Sequence, residues 1–301
     1  MMEWRGRDCT QGNSGKAATN YLANSLKETF RTMVKVPPRD WNAIAWPEVS
    51  AEDAARWIAV LPLAATEQHG PHLPLETDVL IGEAYLARLA QLLPPALPVT
   101  FLPVQRIGIS TEHTDYPGTQ TLSTAQALQQ WMALGESVAR AGVKKLVMVT
   151  SHGGNSAAMM LVAQDLRAQH GMLAVTTSWS RFGAPAGMFS EDELRHGIHG
   201  GAVETSIMLA RYPQAVRKEA IADFPSTAAA MERQFRWLST QRPAPFAWQA
   251  QDLNPLGAVG DARLASVEKG ERLLDHGARA FCELLQDVDN FDVSRLAAGP
   301  I

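Results

Sequence analysis

The sequence predicts an α/β fold, a single domain built on a mostly parallel β-sheet with helices on both faces. Three observations carry this expectation. Short apolar runs alternate along the chain with longer segments of helical spacing, each run stops at a turn or a polar cluster, and no internal repeat or linker interrupts the pattern. We therefore expect an N-terminal extension over 1–39, one domain over 40–290 and a tail over 291–301.

Taken in order, the first 35 residues are polar and weakly patterned, with one amphipathic helix expected over 20–34. The fragment GNSGKAAT has two residues between its first glycine and the Gly-Lys pair, where a phosphate loop needs four. WIAVLPLAA, VTFLPVQRIG, KLVMVTSHGG and MLAVTTSWS each read as a buried strand. Between them, DVLIGEAYLARLAQLL, STAQALQQWMALGESVARAGV and SAAMMLVAQDLRAQHG carry apolar residues at helical intervals. AVETSIMLARY and PSTAAAMERQFRWLST read as further helices, and QRPAPFAWQAQDLNPLGAVGDARLA as a long loop that shapes a site. The last helix, SVEKGERLLDHGARAFCELLQDV, begins with Ser266 as its N-cap.

Composition narrows the function. A net charge of −4 offers no basic field for nucleic acid, and no run approaches the length of a membrane span. Cys9 and Cys282 stand far apart without metal-site or disulfide spacing, and the polar start lacks a signal peptide's apolar centre. A cytoplasmic protein acting on a small molecule is expected.

The chemistry gathers where strands run out, which in a parallel sheet is where ligands bind. TEQHGPHLPLETD, STEHTDYPGTQT, TSHGGNSA and HGIHGGAVETS hold six of the eight histidines: His69, His72, His113, His152, His196 and His199. Glu67 and His69 share one face of an extended chain and can reach one cation, although alone they also read as exposed strand-end residues. Asp78 opens the following helix, and its two oxygens can bridge two metals. His152 stands before a glycine turn, as a ligand or as a hydrogen-bonded turn residue. His199 and Glu204 flank a Gly-Gly turn; Glu204 reads as a ligand or as a first-turn carboxylate on free amides. His72, Glu76 and Asn155 are candidates for orienting ligands. His113, Asp115 and Tyr116 are expected to face the pocket, Trp179 to stack on a flat substrate or pack in the core, and Arg195 to bind an acidic group.

These ordered motifs resemble the creatininase family of metal-dependent amidohydrolases over about residues 55 to 285, with GAVGDARLASVEKGE matching its C-terminal pattern. The resemblance implies that Glu67, His69, Asp78 and His152 hold two divalent ions (Zn, Mn or Fe) with Asp78 bridging, that His199 is the acid-base residue, and that the chain forms a homohexamer. One ligand of the family pattern is missing: creatininase carries a carboxylate where this chain has Gly154, and Glu204 is the nearest substitute. The family's pocket tyrosine and tryptophan are Gly153 and Arg195 here, which argues against creatinine as substrate. Relatives include formamide hydrolases of flavin and deazaflavin pathways and a peptide-trimming enzyme. The expected reaction is hydrolysis of a non-peptide C–N bond by metal-activated water, with a metal-binding or assembly protein without turnover, or a peptide-trimming member, as alternatives. A nucleotide-binding protein lacks both of its glycine signatures.

Overall fold

A computed structural model describes residues 35–241, 243–297 and 299; Cys9 and the helix expected over 20–34 lie outside them. Four strands form the central sheet: β1 (Ile58–Leu63), β2 (Val99–Phe101), β3 (Lys145–Thr150) and β4 (Leu173–Ser178), in the order β2-β1-β3-β4 and all parallel. All six residues of β1 and all six of β3 are buried. Such strands read as unbroken apolar runs because both faces are covered.

The period of two still sorts the side chains. Ile58, Val60, Val147 and Val149 point into one core, shared with α1 (Thr77–Leu92), α4 (Ala202–Arg211) and α5 (Val267–Asn290). Ala59, Leu61, Leu63, Leu146 and Met148 point into the other, shared with α2 (Thr124–Arg140) and α3 (Ser156–His170). Trp131 of α2 and Phe281 of α5 are fully buried anchors of the two layers, each worth about 3–5 kcal/mol against truncation to alanine. The α5 helix starts where Ser266 accepts a hydrogen bond from the Lys269 amide. Its contact with α4 needs Gly270, where a Cβ would stand 2.1 Å from the Ser206 carbonyl.

Two expected elements come out shorter. The run VTFLPVQRIG is a strand only over Val99–Phe101; the Leu102 amide still donates to the Val60 carbonyl, but the next bond to β1 comes from Gln105 to the Pro62 carbonyl, one residue later than the regular ladder places it. PSTAAAMERQFRWLST is helical only over Ala228–Gln234. Among the described residues no helix is long and apolar enough to cross a membrane.

Register places the site. Leu63, Thr150 and Ser178 lie side by side at the carboxyl ends of β1, β3 and β4, so the polar clusters that follow the strands emerge at one rim.

Candidate metal centre

Glu67 and His69 leave the end of β1. The loop after them closes on itself through the Glu67 amide, which donates to the Leu75 carbonyl at 2.8 Å, and through Gly70 at φ 70°, a conformation that costs glycine least. This return delivers Asp78 in the first turn of α1. His152 follows β3, and Asn155 braces it from below: its amide group donates to the Ala64 carbonyl and the Thr150 hydroxyl, and its Oδ1 accepts from the Ile109 amide. Glu204 arrives on the first turn of α4, where its Oε2 accepts from the Gly200 amide. His113 comes from the loop beyond β2.

Hydrogen bonds fix where each imidazole keeps its proton, since a carbonyl can only accept. His152 Nε2–H donates to the Ile109 carbonyl at 2.7 Å, His69 Nδ1–H to the Glu67 carbonyl at 3.1 Å, and His199 Nε2–H to the Gln68 carbonyl at 2.6 Å. Each is thereby left with a lone pair aimed at the carboxylates. His152 Nδ1 stands 3.1 Å from Glu67 Oε1 and 3.6 Å from Asp78 Oδ2; His69 Nε2 stands 3.7 Å from Asp78 Oδ1 and 3.8 Å from Glu204 Oε2. The two oxygens of Asp78 are thus divided between two histidines. His113 is different: Gln68 Nε2 donates to its Nδ1 at 2.7 Å, so its Nε2 carries the proton and faces Glu67 Oε1 at 3.4 Å.

Four donor groups result among the described residues, each with ligand atoms within 4.8 Å of one another: Glu67–Asp78–His152 and His69–Asp78–Glu204, which share Asp78, and Glu67–His69–His199 and Glu67–Glu112–His113. Glu67, His69 and Asp78 are 0–1% exposed. Both Glu67 oxygens, His69 Nε2 and Asp78 Oδ2 lack a hydrogen-bond partner. Buried charge without a partner costs several kcal/mol, and lone pair facing lone pair at 3.1 Å needs positive charge between. The residues fit divalent cations. Without a cation, protons must serve: burial opposes a charged His69, but Asp78 and Glu204 raise its pKa to about 9, while burial and the nearby Asp78 lift Glu204 to about 7. His199 shifts the other way. Burial, with the His69 ring tilted against it at 4.0 Å and His113 stacked at 4.3 Å, holds its pKa well below the ordinary value.

Glycine stands at 154 for a steric reason. A Cβ there would meet His152 Nε2 at 2.4 Å, the Ile109 carbonyl at 2.5 Å and Glu112 Oε1 at 2.7 Å. The carboxylate near this spot is Glu112, whose Oε1 is 3.5 Å from His152 Nε2.

The other sequence candidates divide. Trp179 lines a cavity of about 590 Å³ beside the centre, together with His113, His152, His199 and Glu204; it is 4% exposed and stacks on Tyr85 at 4.4 Å. Tyr116 and Arg195 do not line it. The Tyr116 hydroxyl donates to the Pro255 carbonyl, and exposed Arg195 pairs with Glu232 at 2.9 Å. Glu76 pairs with Arg106 at the surface, and exposed Asp115 accepts from Gln251. His72 is fully buried and donates to the Gly200 carbonyl, holding the turn that carries His199. Sequence reasoning missed Gln68, Glu112 and Tyr85. Glu112 was signalled by its place next to His113; Gln68 was not, because alternation from Glu67 and His69 points it away from them, where it meets the Gly257 carbonyl at 2.9 Å.

Comparison with known proteins follows this geometry. The family described as creatinine amidohydrolase (creatininase) matches residues 42–285. The creatinine amidohydrolase of Pseudomonas putida is 29% identical over 260 residues, 81% of this chain and 95% of that protein. The mycofactocin precursor peptide peptidase of Mycobacterium ulcerans (strain Agy99) is 30% identical over 262 residues, 82% of this chain and 88% of that one. A solved structure described as "Creatininase Mn" shares the fold with a TM-score of 0.67 at 23% identity, covering 85% of this chain and 100% of the other. With these donor groups inside the matched span, the chain belongs to the creatininase family of metal-dependent amidohydrolases.

Proposed function

We propose that this protein hydrolyses a non-peptide C–N bond (a cyclic amide, a linear amide or a formamide) at a centre of two divalent ions. Glu67, Asp78 and His152 would hold one ion, and His69, Asp78 and Glu204 the other. The observation that carries this reading is the division of the Asp78 oxygens between His152 and His69, each with an unprotonated nitrogen facing it. The imidazole and carboxylate donors suit zinc, manganese or iron. When bound, two such ions supply water with a pKa lowered toward neutrality and positive charge for the amide carbonyl.

The protein's own groups account for proton movement. His199 is neutral, with Nε2–H anchored on the Gln68 carbonyl, so its Nδ1 takes a proton from the attacking water and delivers it to the departing nitrogen. His113 Nε2 stands 3.4 Å from Glu67 Oε1 and adds an imidazole beside that carboxylate. Burial of the donors keeps bulk water from competing.

The names of the two sequence relatives extend from a small cyclic amide to a peptide, so both belong on a test panel. Elemental analysis of purified protein, with turnover of cyclic amides, formamides and a short peptide before and after chelation, tests the reading. Two ions per chain and a hydrolysis lost on chelation are expected. One ion per chain without turnover supports instead a metal-binding protein, and no bound metal refutes both. A cytoplasmic homohexamer is the assembly we propose from family membership; sizing in solution checks the subunit number.

A further inference from the structure

We propose that Glu193 is a positioning residue for the metal centre: its buried carboxylate fastens the turn that carries His199 and Glu204 to the segment that closes over it. This inference rests on the two-ion reading and adds to it a residue outside the donor groups.

Glu193 lies in the short helix Glu191–His196, where its amide donates to the Ser190 hydroxyl. It is 6% exposed. Its Oε1 accepts from the Ala202 amide at 2.7 Å and its Oε2 from the Asp261 amide at 2.8 Å. Among the described residues no lysine or arginine pairs with it, so backbone N–H groups are what hold the acid. A carboxylate buried in this way is costly unless its oxygens are bonded, and both are. The chain is shaped around it: a Cβ on Gly197, Gly201 or Gly260 would stand 2.4, 2.7 or 2.8 Å from Glu193 Oε1. Three stretches of backbone can approach one oxygen because none of them carries a side chain there.

The two amides it holds belong to the parts that aim the site. Ala202 is the first residue of α4, whose first turn carries Glu204. Amides at that position have no partner within the helix, and a carboxylate suits the positive helix end. Just before it, the Gly200 amide donates to Glu204 Oε2 at 2.6 Å, and the His199 carbonyl accepts from the Val259 amide at 2.8 Å. Asp261 follows Val259 by two residues, so Glu193 ties together the two segments that the His199–Val259 bridge joins. Glu67, Asp78 and His152 come instead from the ends of β1 and β3 and from α1, and none of them is hydrogen-bonded to this turn. Loss of the Glu193 carboxylate therefore reaches the His69–Asp78–Glu204 ion and spares the other. Glutamine is the discriminating substitute: its size is the same, but one of its head atoms is a donor set against an amide N–H.

The test uses the full chain, depleted of metal and titrated with cobalt(II) read by its visible absorption. The natural protein and Glu191→Gln, altered at an exposed carboxylate of the same helix, are expected to take two equivalents with the same affinities. Glu193→Gln is expected to take one equivalent unchanged and the other about 10–100-fold more weakly. Weakening spread equally over both equivalents marks a merely structural acid and overturns the inference, as do two unchanged affinities. Hydrogen exchange of the metal-depleted natural protein gives a second reading that stands whether or not the variant folds. Ala202 and Val203 both lie in the first turn of α4, without partners inside it, and the Ala202 amide alone reaches Glu193. Its exchange is expected to be at least about tenfold slower than that of Val203; equal rates overturn the inference and leave the metal centre intact. Fewer than two equivalents in the natural protein refutes the two-ion reading and takes the inference with it.

Discussion

Replacing Gly154 with alanine tests whether this position is closed to side chains. The added methyl would lie 2.4 Å from His152 Nε2 and 2.5 Å from the Ile109 carbonyl, two atoms that are themselves hydrogen-bonded at 2.7 Å. One is a buried ring and the other is backbone, so neither can swing aside. Losing that bond costs about 0.5–1.5 kcal/mol and overpacking about 1–3 kcal/mol, a total of roughly 2–4 kcal/mol. For a chain of this size that lowers Tm by roughly 3–6 °C. Because the same bond orients His152, metal affinity falls about 10–100-fold as well. Gly153→Ala is the matched control: nothing lies within 4 Å of a Cβ there, and stability stays within about 0.5 kcal/mol. Scanning calorimetry of the metal-depleted proteins and elemental analysis after reloading give the two readouts. A Gly154→Ala protein as stable and as metal-replete as the Gly153→Ala protein would refute the reasoning.

Three further outcomes are expected. Glu204→Gln removes the charged oxygen 3.8 Å from His69 Nε2; metal content drops from two ions toward one per chain, measured by elemental analysis. His199→Asn leaves metal content unchanged and lowers kcat by about 10²–10⁴-fold, measured with whichever panel amide is turned over. His72 is held neutral, with burial lowering its pKa to about 4. Its stabilising effect is therefore present above the ordinary value near 6.5 and is lost as pH falls from there toward 4. Denaturant titrations should show His72→Gln losing less stability than the natural protein across that interval, by on the order of 1–3 kcal/mol.

Much of the architecture was legible because buried parallel strands are written as apolar runs: WIAVLPLAA contains β1 and KLVMVTSHGG contains β3. The helix capped by Ser266 was legible from its cap and apolar spacing. What failed has local causes. The second run slips by one residue between Leu102 and Gln105, and the apparent helix after Pro225 ends at Gln234, beyond which the chain extends at Phe235. Within the site, acids and histidines at strand ends were visible because few other roles place so many there. Gln68, Tyr85 and Glu112 were not, since an amide, a helix phenol and a loop acid have ordinary uses; only the crossing of distant segments gives them new ones. Arg195 failed for the opposite reason, its charge being satisfied at the surface by Glu232.

The loop that closes over the centre has a consequence for how the protein matures. The Gly257 carbonyl receives the Gln68 amide, and the Val259 amide donates to the His199 carbonyl. A chain leaving the ribosome exposes Glu67, His69 and Asp78 early, yet the groups that finish and seal the cage emerge only near the end of synthesis. The full set of donors, Glu204 included, therefore comes together only after most of the chain has been made.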